Sequence, residues 1–65
     1  MRPISGPDLC KILEKNGWRL QRVRGSHHIF SKSGHTKIIT VPVHGKACVK
    51  PGLATRIAKD AAVSW

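Results

Sequence analysis

Two glycine-bearing turns leave the middle of this chain very few folds to choose from. Gly25-Ser26 and Ser33-Gly34-His35 bracket a short run, His27 to Lys32, that returns at once to apolar residues. A run of similar character, Trp18 to Arg24, precedes the first turn. A third, Lys37 to Val41 or Val43, follows the second and is rich in β-branched residues, which suit a pleated surface. Strands joined by such tight turns pair antiparallel, because a parallel crossover needs a dozen or more residues. The spacing therefore predicts a three-stranded meander. Two irregularities are written into it. The alternation fails at Arg22-Val23, which predicts a bulge or an early strand end, and Pro42 cannot donate to a ladder, so the third strand ends there or lies at an edge.

The flanks carry helical periodicity. After a short lead-in, Met1 to Ile4, Ser5 is placed to cap a helix, Pro7 suits its first turn, and Asp8 stands at the position where an acid complements the free amides. Leu9, Ile12 and Leu13 recur at helical spacing and should face the core, with Lys11, Glu14 and Lys15 toward water. Asn16-Gly17 closes this helix, glycine being free to adopt the left-handed conformation. His44 to Gly52 reads as a loop. Leu53 opens a second helix whose Leu53, Ile57 and Ala61 share a face, Ala54 and Ala58 fill in beside them, and Arg56 and Lys59 point outward. Ala62 to Trp65 is a tail whose Trp65 either folds back or stays loose.

With 65 residues the chain is one domain, 1–65, with a thin core; chains of this size bury only about 60% of their unfolded surface. The expected class is α+β, in α-β-β-β-α order, with a three-stranded antiparallel sheet and two helices on one face. The other face is left to solvent or a partner. The period of two then sorts the strands. Phe30 and His28 should face the core, His27 and Ile29 the open side. Ile39, Val41 and Val43 suit the core, leaving Ile38 and Thr40 open, so that exposed isoleucines sit beside a histidine and something is expected to cover them. Trp18 reads as core.

Composition enters through charge. Twelve Lys and Arg against three acids give a formal net charge of +9. An excess of this size concerns partners, not fold, and favours nucleic acid, whose phosphates dominate affinity through counterion release. A roomy internal pocket for a large cofactor is hard to build in a chain this short, and a site on an open surface is easier. Cys10 and Cys48 lack the short spacing of a zinc ribbon, and Cys10, inside a helical pattern, reads as a small buried hydrophobe. No apolar run approaches transmembrane length. The expectation is a reduced, cytoplasmic protein with no membrane association.

Gly25-Ser26-His27-His28 holds the chemistry. Histidine alone has an unperturbed pKa inside the physiological window and can take and give protons there. On the residues alone, His27 is either a solvent-tolerant surface histidine or a proton-transfer group acting on a phosphodiester. Arg24, Lys37 and Lys46 are the charges that would stabilise a developing phosphorane, or else form a solvated basic face. Gly25 and Ser26 form the turn, and the Ser26 hydroxyl is placed to orient an imidazole. His44, after Pro42-Val43, either approaches the site or is an ordinary loop histidine. His28 is either a half-buried structural histidine, the favoured reading, or a supporting or RNA-binding residue of the site. The three acids are scattered (Asp8, Glu14, Asp60), so no carboxylate cluster is expected for Mg²⁺, and the histidine spacing matches no zinc pattern. Neither metal nor cofactor is expected.

Taken together, Ser5-Gly6-x-x-Leu9, Asn16-Gly17-Trp18, Gly25-Ser26-His27-His28-x-Phe30, Thr40-Val41-Pro42-Val43-His44-Gly45 and Lys50-Pro51-Gly52 resemble the HicA toxins of bacterial and archaeal toxin–antitoxin systems. The resemblance covers almost the whole chain, in order. It implies a double-stranded-RNA-binding-domain-like fold, cleavage of mRNA as the endoribonuclease toxin of a type II system, and neutralisation by a HicB-like antitoxin. It also implies an active histidine at the first position after Gly-Ser, here His27. The stretch Asp60 to Trp65 departs from the family's Gln-Ala-Gly-Leu ending. Two other classes fit the composition: a non-catalytic double-stranded-RNA-binding module, and a basic protein whose only partner is another protein.

Overall fold

The computed structural model describes residues 2–65; Met1, the start of the expected lead-in, lies outside them. The elements run α1 (Gly6–Lys15), β1 (Arg19–Arg24), β2 (His27–Ser31), β3 (Ile39–Pro42) and α2 (Pro51–Ala61). The strands form one antiparallel sheet in the order β1-β2-β3, the predicted meander. Pro42 ends β3, an edge strand, where its missing N–H interrupts no ladder.

Ser5 caps α1, its hydroxyl accepting from the Asp8 amide at 3.2 Å. The helix closes at Asn16, whose side chain donates to the Ile12 carbonyl at 2.8 Å, and Gly17 follows with φ +90°. The Trp18 amide also donates back to the Leu13 carbonyl at 3.0 Å. That bond holds Trp18 to the end of α1, so β1 starts at Arg19 and not at Trp18. The indole is buried, and its Nε1 donates to the Ala61 carbonyl of α2 at 3.3 Å.

Three further boundaries differ from those expected. β3 begins at Ile39 instead of Lys37, the ladder to β2 starting at the Phe30–Ile39 pair; Lys37, outside it, pairs with Asp60 of α2 at 3.1 Å. β2 stops at Ser31, one residue short of Lys32, whose carbonyl accepts the His35 amide in the turn. The second helix begins at Pro51, not Leu53, since proline's fixed φ suits the first helical position, where no amide partner is required. Its C-cap is Ala62 in the left-handed conformation, φ 56°. The tail is ordered beyond it: the Val63 amide bonds the Ala58 carbonyl, and Trp65 folds back to donate to the Arg2 carbonyl at 2.7 Å.

The core lies between the helices and one face of the sheet. Leu9, Leu13, Trp18, Phe30 and Val41 are its largest fully buried side chains, joined by Ile39, Ile57, Ala54, Ala61 and Val63. Ile12, Val43 and Leu53 pack around its rim as partly buried residues. Val49 is also buried, within what the sequence reads as a loop. The segment is pinned by the Val49 amide on the Ile4 carbonyl at 2.8 Å and by a β-bridge between Ser5 and Cys48. α1 contacts β1 and β3, and α2 contacts β3. β1 overhangs this cover. Leu20 and Val23 sit on the helix side by register, opposite Phe30 and His28, yet remain 44% and 50% exposed.

Candidate active site

The hairpin between β1 and β2 turns on Gly25, whose φ of +57° is the left-handed value a two-residue loop demands. A side chain there would meet no neighbour within 4 Å, so conformation and not space calls for glycine. The turn delivers His27 as the first residue of β2, paired with Arg24 on one side and Pro42 on the other. His28 pairs with Val23 and Val41, Ile29 with Arg22 and Thr40, and Phe30 with Leu20 and Ile39. Side chains of paired residues share a face and alternate along the strand. Phe30, Ile39 and Val41 are buried, so their face is the covered one, and His27 stands exposed on the other.

The break in alternation is real and lies earlier than Arg22-Val23. The register shifts between Leu20 and Arg22, making Gln21 the extra residue. Without it, Leu20, Arg22 and Arg24 would share one face. With it, Leu20 stays on the core side while Arg22 and Arg24 turn to the open face beside His27. That face carries Arg19, Arg22, Arg24, His27, Ile29, Ser31, Thr40 and Pro42. None is acidic, and all three acids of the chain lie on the helices. An anionic chain laid along this face meets cations without like-charge repulsion.

His27 also borders a hollow of about 370 Å³ at the end of the sheet, lined with it by Pro42, His44, Cys48, Lys50 and Leu53, among others. Backbone contacts hold the segment that carries His44 in place. The Val43 amide donates to the Ser26 carbonyl at 2.7 Å, joining the segment that carries His44 to the turn that carries His27. The Ala47 amide bonds the His44 carbonyl at 3.0 Å, and the Gly6 amide bonds the Ala47 carbonyl at 3.2 Å. Gly6 lies so close that a Cβ would meet the Pro42 oxygen at 2.9 Å and the Val43 Cα at 3.0 Å.

Among the residues singled out in the sequence, His27, Arg24, Gly25, Ser26 and His44 thus come together at one end of the sheet. Ser26 contributes its backbone carbonyl. Lys46 is exposed on the turn that follows His44. His28 is half-buried and faces the core side between Val23 and Val41. Lys37 lies at the opposite end of β3 from His27, paired with Asp60. His35 is also at that far end, its ring 5.3 Å from that of Trp18. Lys50, at the N-cap of α2, lines the hollow and was not anticipated. Its signal is the Lys50-Pro51 pair, which marks a helix start whose first amides point outward. Among the described residues no group of three or more His, Cys, Asp or Glu side chains is placed to hold a metal ion. Cys10 is buried, and burial pushes its thiol up, with the Glu14 carboxylate adding to the shift. Cys48 is exposed.

The fold and its uncovered basic face define a small α+β domain in which, among the described residues, no polar or charged side chain is buried and the open face of the sheet carries arginines beside His27. A family model described as "HicA toxin of bacterial toxin-antitoxin" matches residues 6–63. The chain belongs to the HicA toxin family, and membership implies an antitoxin as partner. No curated protein matches it. Among the described residues no helix is long and apolar enough to cross a membrane.

Proposed function

We propose that the protein is an mRNA endoribonuclease acting in the cytoplasm, with His27 as its general base, and that a HicB-like antitoxin silences it by covering the open face. The observation that carries this reading is the position of His27, exposed on the uncovered face, cross-strand from Arg24 and at the mouth of a hollow that also receives His44 and Lys50. In the proposed reaction, RNA lies along the face with its phosphates toward Arg22 and Arg24. The His27 imidazole takes the proton of a ribose 2′-hydroxyl, the oxygen attacks the adjacent phosphorus, and the 5′-oxygen departs. A positioned general base contributes about 10²–10⁴-fold; positioning and positive charge around the phosphorane supply the remainder. The imidazole does the work of activating the nucleophile, so the reaction is read as independent of metal and of cofactors.

The test is a cleavage gel with purified protein on single- and double-stranded RNA, with and without chelator. Wild type should cut in both conditions. His27→Ala should retain the fold and lose about 10²–10⁴-fold in rate. Full cutting by that variant would remove His27 from the site. Loss of cutting in chelator would replace the metal-free reaction. Salt-sensitive binding without scission would make the protein a non-catalytic double-stranded-RNA-binding module.

A further inference from the structure

We propose that His44 is the second proton-transfer group of this site, the general acid that protonates the departing 5′-oxygen. The inference rests on the reading of the protein as an RNA-cleaving enzyme with His27 as base. In an in-line displacement the entering and leaving oxygens lie on opposite sides of phosphorus, so one imidazole cannot serve both at once. A second proton donor in the same hollow is what the reaction calls for, and both histidines line that hollow.

The placement of His44 is built, not incidental. His27 pairs with Pro42, two residues before His44, and the Val43 amide between them is bonded to the Ser26 carbonyl. The other end of the segment is held through Ala47 to the His44 carbonyl and through Gly6 to the Ala47 carbonyl. No other imidazole competes for the role: His28 faces the core side and His35 stands against Trp18 at the opposite end of the sheet. Of the remaining protic groups lining the hollow, the Cys48 thiol and the Lys50 ammonium belong to classes of weaker acid than imidazolium. Lys50 is instead the charge that faces the non-bridging oxygens.

The step balances as follows. The 2′-hydroxyl gives its proton to neutral His27 as the 2′-oxygen bonds to phosphorus. The bond from phosphorus to the 5′-oxygen breaks, and its electron pair takes the proton of the His44 imidazolium. The products are a 2′,3′-cyclic phosphate and a 5′-hydroxyl. His27 is left protonated and His44 neutral, and exchange with water resets both.

The experiment compares wild type, His44→Ala, His44→Gln and His27→Ala on two RNA oligonucleotides of one sequence. The first is ordinary, and in the second sulfur replaces the 5′-bridging oxygen at the cleaved bond. A thiolate leaves without protonation. On ordinary RNA both His44 variants should lose about 10²–10⁴-fold, and on the sulfur-bridged RNA they should return to within about tenfold of wild type, a rescue that also reports an intact fold. His27→Ala should be impaired on both. Wild type should show a bell-shaped pH–rate profile, and His44→Ala should lose its alkaline limb. Cleavage of ordinary RNA by His44→Ala at near wild-type rate overturns the proposal, as does equal loss on both substrates. Absence of cutting by wild type on either substrate overturns the underlying reading of the protein as a nuclease.

Discussion

The two faces of the sheet are made from alternate residues of the same short strands, yet they share almost no chemistry. The covered face buries Phe30, Ile39 and Val41 against both helices, and no polar or charged side chain is buried among the described residues. The open face carries three arginines and a histidine with no acid among them. In a larger protein a core can hold a site within it. Here the small core leaves no room for a site within it, so chemistry is confined to the side that contributes least to stability. The penalty for altering a residue should therefore depend on its parity along the strand. Neighbours one position apart separate into those that hold the fold and those that act.

The sharpest way to break that contrast is to truncate the adjacent pair Phe30 and Ile29. Phe30→Ala should cost about 3–5 kcal/mol in urea denaturation, against a total of roughly 3–10 kcal/mol for a domain of this size, and should leave much of the protein unfolded. Ile29→Ala, on the open side, should cost about 1 kcal/mol or less. Similar losses for the two would mean that the open face is also load-carrying.

Gly6→Ala probes the joint between the faces, since its methyl would press on the Pro42 carbonyl and the Val43 backbone. Overpacking of this kind costs about 1–3 kcal/mol, and the displaced segment carries His44, so cleavage should fall further than stability does. A variant as stable and as active as wild type would show that this contact yields freely.

The smallest effect is expected at the far end of the sheet. Lys37→Ala removes an exposed ion pair with Asp60, and such pairs contribute about 0–1 kcal/mol. Cleavage should stay within about twofold of wild type, at the level of a surface substitution away from the site. A large loss of cutting would return Lys37 to the site and erase the distinction between the two ends.

Much of this was legible in the order of residues. Ser5, Asp8 and Asn16-Gly17 delimit α1 by local hydrogen bonding, which needs no distant partner. The turns at Gly25-Ser26 and Ser33-Gly34 set the meander, and the period of two along the strand separates His27 from Phe30. The resemblance in the motifs pointed to the HicA family, which the match over residues 6–63 shows. Local patterns succeed here because caps, tight turns and strand parity involve atoms only a few residues apart.

What only the tertiary structure decided involves residues distant in sequence. The bulge at Gln21 depends on how β1 registers against β2, and it decides that Arg22 and Arg24 join His27. Lys37 is away from the site because the register of β2 against β3 puts it at the far end of the sheet from His27, beside Asp60 of α2. Val49, Lys50 and His44 acquire their places because the stretch after β3 is tied to Ile4, Gly6 and Ser26. Periodicity within one segment carries no record of such pairings, since they are settled by which surfaces the whole chain can bury at once.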